Sequence, residues 1–138
     1  MIKRLKFKTG PNTDIIDITD EIERVVSSAY TYKGDGICLI TASHTTCAII
    51  SGEYEPEIAH DFKEFIEHLK PDGPFKHAHA ANHAPSHLLS NLFGTSRSFP
   101  LESGNLLLGT WQRILLIEFD GPREREVVAT IIQNAGTN

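Results

Sequence analysis

The sequence predicts an α+β fold in which a mostly antiparallel sheet carries about three helices on one side. Two observations predict it. Consecutive short β-rich runs are joined by tight turns, which favours antiparallel pairing, and three separate segments carry helical periodicity or helix-boundary residues. The 138 residues are 40% hydrophobic and 22% charged, a composition typical of globular proteins. Since domains mostly run at about 100–150 residues, we expect a single domain over residues 1–138.

The N-terminal half carries the signals for four strands and two helices. Apolar residues alternate with lysines in the first strand, as expected for a strand with one wet face. Thr19 suits the N-cap of the first helix, and Pro56 suits the first position of the second. The apolar stripe of the second helix comprises Ile58, Phe62, Phe65, Ile66 and Leu69. Predicted strands cover 5–7, 14–18, 37–41 and 46–50, and predicted helices cover 19–30 and 56–69.

The C-terminal half predicts a loop, a short helix and four further strands. Residues 75–86 show no periodicity, which indicates a loop, and Gly94 ends a helix that begins at Ser86. Turns are predicted at 102–104 and at 120–122, where Gly follows Ser or Asp. The strands are predicted over 98–101, 105–108, 112–119 and 125–132.

Charge and apolar patterning exclude several classes of partner. The formal net charge of −5 argues against binding to a nucleic-acid backbone, while leaving room for a small anion in a local basic pocket. No uncharged apolar run approaches the roughly 18–20 residues of a membrane span, and the N-terminus lacks the apolar block of a signal peptide. We therefore expect a cytoplasmic protein that binds neither nucleic acid nor membranes. Cys38 and Cys47 lie in apolar runs and are expected as buried thiols, with a disulfide as the open alternative.

Histidines are concentrated in one segment. Of the seven, four fall within eleven residues: His77, His79, His83 and His87. Imidazole is a common metal ligand and the usual acid–base group near neutral pH, so the segment suits a site, although a solvated loop is the alternative. His77 and His79 alternate and would share one side of an extended segment. Because Pro85 is expected to block an earlier helix start, His83 and His87 are not predicted to pair at i,i+4.

Three further residues suit chemistry by their position. His44 follows an apolar β run, so it emerges at a sheet end, where an ordinary turn is the alternative. Asp61 lies at the border of the apolar stripe of its helix. Glu118 alternates with Leu116, so it faces inward and needs a cationic partner. Candidate partners are Arg113, Arg123 and Arg125. These residues together predict a polar, histidine-rich pocket able to hold a metal or a phosphate.

An ordered series of short motifs resembles the YjbQ-like family. The series comprises His44-Thr45-Thr46, Glu53, Asp61, Phe75-Lys76-His77, Ser86-His87-Leu88, Gly94-Thr95-Ser96, Pro100, Gly104, Leu108-Gly109-Thr110-Trp111-Gln112, Glu118 and Asp120-Gly121-Pro122-Arg123. Two departures concern the loops: Gly52 stands where the family typically has Asn, and Ala81-Asn82-His83-Ala84 varies an Asp/Asn-rich segment. The resemblance covers nearly the whole chain.

The resemblance implies a small α+β sandwich that forms a homotrimer with polar pockets near subunit boundaries. It also implies a secondary thiamine-phosphate synthase, which joins a pyrimidine diphosphate to a thiazole phosphate with release of pyrophosphate, as a main or a side activity. Carried over by position, the polar site comprises His44, Asp61, His77, Asn82 and His87, supported by Trp111, Gln112, Glu118 and Arg123. Within it we expect His44, Asp61, Glu118 and Arg123 to be catalytic and His77 and His87 to bind the metal, with Asp61 or His44 as an alternative further ligand. The substrate-binding residues are Thr45, Thr46, Asn82, Trp111 and Gln112.

Two other functions fit the same residues. One is a metal-dependent hydrolase, with a metal-bound water as nucleophile and Asp61 or Glu118 as base. The other is a non-catalytic trimer that binds a small phosphorylated metabolite or a metal. The expected cofactor is a divalent metal, zinc or magnesium: imidazole ligands favour zinc, whereas diphosphate chemistry usually employs magnesium.

Overall fold

A computed structural model describes residues 1–29, 34–77 and 83–134 of the chain. Three helices and eight strands lie in these ranges, and their order is the one that the sequence predicts. The helices are α1 (Thr19–Ala29), α2 (Pro56–Leu69) and α3 (Ala84–Phe93). The strands are β1 (Ile2–Lys8), β2 (Asn12–Asp17), β3 (Gly36–Ala42), β4 (Cys47–Gly52), β5 (Ser96–Glu102), β6 (Asn105–Leu106), β7 (Arg113–Gly121) and β8 (Glu124–Gln133).

The strands form two antiparallel sheets. The larger has the order β1-β8-β3-β5-β6 and the smaller the order β2-β7-β4. Strands β7 and β8 follow one another in the chain but belong to different sheets, so the turn between them joins the two layers. The predicted α+β class with mostly antiparallel pairing is confirmed, and the two sheets form the sandwich that the resemblance implied.

Side chains on β7 divide between two cores, because successive residues of a strand point to opposite faces. Ile114 and Leu116 belong to the main core, which also receives α1. Ile117 and Phe119 belong to a second core formed with α2 and α3. Helices α2 and α3 therefore cover one face of the small sheet, as expected of helices on one side, whereas α1 packs into the main core.

The start of α1 differs in detail from the prediction. Thr19 is fully buried and is the first helical residue, so it does not act as the N-cap. The Asp17 carboxylate accepts hydrogen bonds from the Thr19 backbone N–H (3.0 Å) and hydroxyl (2.6 Å). The Thr19 hydroxyl in turn accepts from the Ile114 N–H at 2.8 Å. Thr19 thus links the helix to β7, and the Asp17 carboxylate accepts a hydrogen bond from an N–H group at the helix start that has no partner within the helix.

The apolar stripe of α2 is only partly covered. Ile66 is fully buried, but Phe65 remains 53% exposed. Ile58 and Leu69 are also exposed. The small sheet has three strands, which is too narrow to cover the whole stripe together with α3. The periodicity predicts the helix correctly, but within one chain most of its apolar face meets solvent.

One glycine permits a close backbone approach. A Cβ at Gly121 would lie 1.9 Å from the backbone oxygen of Gly10, a distance that no side chain can occupy. The two segments, one after β1 and one at the end of β7, can therefore meet only if residue 121 is glycine. This contact fixes the end of β7, where Asp120 lies.

The two cysteines are free and buried in the main core. Burial raises the pKa of each thiol, Cys38 and Cys47, to about 11, so both stay protonated near neutral pH. This confirms the expectation of buried thiols. None of the helices described here is long and apolar enough to cross a membrane.

Candidate functional site

Three histidines converge at the start of α3. His77 lies on the segment after α2, His83 immediately precedes α3, and His87 lies in its first turn. The ring centroids are 5.1 Å apart for His77–His83 and 4.9 Å apart for the other two pairs. One nitrogen of each ring lies within 4.8 Å of the others. We call these three residues the histidine triad.

The helix start explains how His83 joins the histidine triad. Helix α3 begins at Ala84, with Pro85 in its first turn and His83 as the N-cap residue. Proline is tolerated there because the first N–H groups of a helix have no intrahelical partner to lose. His83 and His87 therefore meet at i,i+4, and the prediction that they do not was wrong. Pro85 starts the helix rather than blocking it.

The donor set fits a transition metal. Zinc in proteins is tetrahedral with Zn–N distances of about 2.0–2.1 Å, which places ligand nitrogens about 3.3 Å apart. Small side-chain rotations bring nitrogens from 4.8 Å to that spacing. Nδ1 of His83 is buried and lies 3.5 Å from the Asp120 carboxylate. Three clustered imidazoles favour zinc over oxygen-seeking magnesium.

Asp120 lies behind His83. Its Oδ2 is 3.5 Å from Nδ1 of His83, and it accepts a hydrogen bond of 2.7 Å from Nη2 of Arg123. Burial alone would raise the pKa of Asp120, but the hydrogen bond and charge of Arg123, followed by His83, outweigh burial and lower it. Asp120 is therefore a carboxylate at neutral pH. A carboxylate next to an imidazole is the usual means of orienting a metal-binding histidine.

His87 is held in the form that binds metals. Burial lowers the pKa of His87, and the neighbouring His83 and His77 lower it further. The Asp120 carboxylate, and to a smaller extent the Thr45 backbone, oppose this shift but do not reverse it. The neutral imidazole is the ligand form, so this environment prepares His87 for a cation.

Glu118 and Arg125 form a fully buried ion pair. Glu118 is inaccessible to solvent and Arg125 is 4% exposed. Arg125 donates to both carboxylate oxygens, with Nε at 2.8 Å from Oε1 and Nη2 bonded to Oε2. Burial alone would lower the pKa of Arg125, but the Glu118 carboxylate raises it, so the charge is kept. The prediction that Glu118 faces inward and needs an arginine is confirmed, and Arg125 is the partner.

His44 lies beside this ion pair rather than in the histidine triad. Its Nε2 accepts a hydrogen bond of 2.8 Å from the Glu126 N–H, which requires a lone pair on that nitrogen. Burial lowers the pKa of His44, and Arg125 lowers it further. His44 is therefore neutral and tied to β8, at the sheet end where the sequence placed it.

Comparison with known proteins gives the family. The family model described as UPF0047 protein YjbQ-like matches residues 3–134. This chain belongs to the YjbQ-like family. A UPF0047 protein of Archaeoglobus fulgidus is 46% identical over 90% of the chain and 95% of the relative, and one of Methanocaldococcus jannaschii is 36% identical over 96% and 94%.

Solved structures agree with this assignment. A YbjQ-like protein of unknown function from Sulfolobus solfataricus superimposes with a TM-score of 0.89 at 34% identity, covering 97% of each chain. A hypothetical protein from Aeropyrum pernix has the same TM-score at 38% identity, covering 97% of this chain and 99% of the other. The YjbQ-like fold of the chain is thereby established.

Asp61 lies apart from the histidine triad of this YjbQ-like chain. It is exposed on α2, where its carboxylate groups with His60 and Glu64, with one ligand atom of each within 4.8 Å of the others. Nε2 of His60 is 3.5 Å from Oε1 of Glu64. Both side chains are largely exposed, and we call these three residues the α2 group.

The residues expected to bind substrate are dispersed. Thr45 is exposed, whereas Thr46 is buried and accepts a 2.7 Å hydrogen bond from Arg125. Gln112 donates to the Ser51 hydroxyl at 2.5 Å and accepts from the Gly109 N–H at 3.0 Å, which shapes the segment before β7. Trp111 is 75% exposed. Asn82 and His79 lie outside the described residues.

The sequence alone assigns no site role to two members of the site. His83 is one of the four clustered histidines, but Pro85 is there expected to prevent its pairing with His87, although Pro in the first helical turn is itself a start signal. Asp120 is part of the predicted turn and of the family motif 120–123, and that motif was the signal for it. Arg123 was expected in the site, and its side chain is 53% exposed beside Asp120.

Proposed function

We propose that this protein is a metal-dependent enzyme that binds a divalent transition metal, zinc by preference, through His77, His83 and His87 and hydrolyses a small phosphorylated substrate. The convergence of the three imidazoles supports the proposal above any other observation. When bound, such a metal acts as a Lewis acid that activates water and neutralises phosphate charge.

Residues of the chain supply the remaining functions. Arg123 is half exposed, and its Nη2 lies 2.7 Å from Oδ2 of Asp120, beside His83. Its remaining N–H groups can donate hydrogen bonds to a phosphate oxygen. Asp120 lies 3.5 Å from His83, where it can orient the ring, and it also interacts electrostatically with His87. This arrangement holds an anionic group next to the histidine triad.

Metal analysis and phosphate release test the proposal together. Purified, untagged protein is expected to carry zinc near one equivalent per chain and to release inorganic phosphate from a panel of phosphate monoesters and diphosphates. A His77→Ala/His87→Ala variant is expected to lose both, and His60→Ala is the matched control that keeps both. Zinc-free wild-type protein, or phosphate release that the double variant retains, would contradict the proposal.

A second candidate is the secondary thiamine-phosphate synthase. The carboxylates of Glu118 and Asp120 are both hydrogen-bonded to arginines, so neither is free to act as the base. A hydrolase here would instead rely on the metal to lower the pKa of the attacking water. Displacement of pyrophosphate needs no such base: the thiazole nitrogen bonds to the methylene carbon of the pyrimidine as the C–O bond to pyrophosphate breaks. The work is then orientation and charge neutralisation, which a metal and Arg123 supply.

The product distinguishes the functions. Supplying the pyrimidine diphosphate with the thiazole phosphate should give thiamine phosphate and pyrophosphate in equal amounts if the synthase is correct. Release of inorganic phosphate that does not depend on the thiazole supports the hydrolase. Ligand binding without either product supports a non-catalytic protein that binds a phosphorylated metabolite or a metal.

We also propose that the protein assembles as a homotrimer. Large apolar side chains are exposed on α3 and before β7, namely Leu88 (47%), Leu92 (70%), Leu107 (52%) and Trp111 (75%). Large exposed apolar side chains are common at interfaces between chains, and Leu88 follows His87 in the sequence. Light scattering should give about 46 kDa, three times the 15.3 kDa of one chain. Leu92→Glu should lower that mass, whereas Ile132→Glu on β8 should not.

We further propose a cytoplasmic location. Two free, buried thiols are typical of a reducing compartment. The expected outcome of cell fractionation is recovery with cytoplasmic markers, and recovery with membranes or outside the cell would contradict it.

A further inference from the structure

The buried Glu118–Arg125 pair makes hydrogen bonds to three separate segments of the chain. Oε1 of Glu118 accepts from the Thr9 hydroxyl at 2.7 Å, after β1. Nη2 of Arg125 donates to the Thr46 hydroxyl at 2.7 Å and to the Thr46 carbonyl at 3.2 Å, before β4. Oε2 of Glu118 accepts from the Asp120 N–H at 3.1 Å, near the end of β7. The pair thus ties together the loops at one end of the sandwich.

Two of these segments carry residues that interact with histidines of the triad. The Asp120 whose N–H is bound by Glu118 places its carboxylate 3.5 Å from His83. Thr46, bound by Arg125, follows Thr45, whose backbone interacts electrostatically with the His87 ring. One buried ion pair therefore stands behind the partners of two triad histidines.

Contacts outside this pair hold α3 to the small sheet. Ser86 donates to the Phe119 carbonyl at 2.8 Å, and Ser90 donates to the Cys47 carbonyl at 2.7 Å. Leu89 is 2% exposed in the second core. Because these contacts do not involve Glu118 or Arg125 side chains, we expect loss of the ion pair to leave α3 in place while releasing the groups that orient the histidines.

Stability alone is a poor account of the pair. Replacing a buried ion pair by apolar residues of similar volume is often neutral or stabilising, because the desolvation of two charges offsets their attraction. The pair instead makes directional bonds to the backbone and hydroxyl groups that carry the partners of the triad.

We propose that Glu118 and Arg125 are positioning residues that set the orientation of the histidine triad through Asp120 and Thr45. This inference rests on metal binding by the triad, which the proposed function assigns. Glu118, which the resemblance placed among catalytic residues, has no exposed surface and so acts through Asp120.

The test replaces both charges together. A Glu118→Leu/Arg125→Met variant is expected to stay folded with a lower melting temperature, because the Asp120 N–H and the Thr46 hydroxyl lose their partners. Its zinc affinity should fall about 10–100-fold, the range observed when outer partners of ligating histidines are lost. The absorption bands of bound Co²⁺, which report ligand geometry, should shift. The matched control, Asp17→Asn, breaks a partly buried ion pair with Arg113 away from the triad and should lower stability without changing zinc affinity.

The results for the variants and for the wild type distinguish failure of this inference from failure of the proposed function. A folded double variant with wild-type zinc affinity and Co²⁺ bands overturns the inference and leaves the proposed function intact. A wild-type protein that binds no zinc overturns both. Should the double variant not fold, Thr46→Val decides: it removes a hydroxyl that Arg125 binds, and a several-fold loss of zinc affinity supports the inference while an unchanged affinity overturns it.

Discussion

Two groups of side chains among the described residues bring potential metal ligands within 4.8 Å of one another, yet their surroundings differ. They are the histidine triad and the α2 group. His83 and His87 are partly buried, and His83 has Asp120 behind it. His60, Asp61 and Glu64 all lie exposed on one helical turn of α2.

Proximity of potential ligands alone therefore does not make a metal site. Exposed groups on one turn stay solvated and lose side-chain entropy if an ion orders them. In the triad, the rings are already packed at centroid distances near 5 Å, and neighbouring groups fix their orientation. We therefore expect metal binding at the triad and none of comparable strength on α2.

The largest expected effect concerns the backbone behind the triad. Gly121→Ala places a Cβ against the Gly10 carbonyl, so the free energy of unfolding should fall by about 3 kcal/mol or more. Gly52, which precedes α2, has no atom within 4 Å of an added Cβ, and Gly52→Ala should be nearly neutral. Urea unfolding of both variants measures the contrast, and equal stability would show that the segments can separate without cost.

Removal of one ligand from each group tests the comparison directly. His87→Ala should weaken zinc binding by more than the roughly 10–100-fold typical of losing an outer partner. His60→Ala should change it less than about twofold. Competition with a chromophoric zinc chelator gives both affinities, and a larger loss in His60→Ala would reverse the assignment of the site.

The next comparison replaces one carboxylate next to the histidine triad and one in the α2 group. Asp120→Asn keeps the shape of the side chain but removes the charge next to His83, so zinc affinity should fall about 10-fold. Asp61→Asn makes the same chemical change on α2 and should have no measurable effect. If Asp61→Asn proved the more damaging, Asp61 would have to reach the metal, for example from a second subunit.

The smallest expected effect is the contribution of the Asp17 charge to the free energy of unfolding, which acid removes. Burial alone would raise the pKa of Asp17, but hydrogen bonds from Thr19 and Arg113 outweigh burial and lower it. Such a group contributes stability above its unfolded pKa of about 3.9 and loses it as the pH falls through the lowered folded value. Asp17→Asn should therefore cost about 1–2 kcal/mol at pH 7.

Unfolding of both proteins from pH 7 to pH 2 measures this contribution. The difference between wild type and Asp17→Asn should be constant down to about pH 4 and then shrink. A difference that stays constant to pH 2 would mean that the charge of Asp17 contributes nothing.

Much of the fold follows from local patterns in the sequence. Alternation along β7 predicts that Glu118 faces inward with Leu116, and Pro56 marks the first residue of α2. These predictions succeed because period and helix-boundary chemistry are properties of a few neighbouring residues. The order of motifs likewise indicates the YjbQ-like family.

The candidate site depended on contacts that no local pattern contains. The sequence determined that four histidines crowd one segment and that Glu118 needs an arginine. Tertiary structure decided that Arg125 is that arginine, that His83 joins His77 and His87, and that Asp61 stays apart on α2. The physical reason is that periodicity assigns a side chain to a face, whereas the packing of two sheets and α3 selects which faces meet.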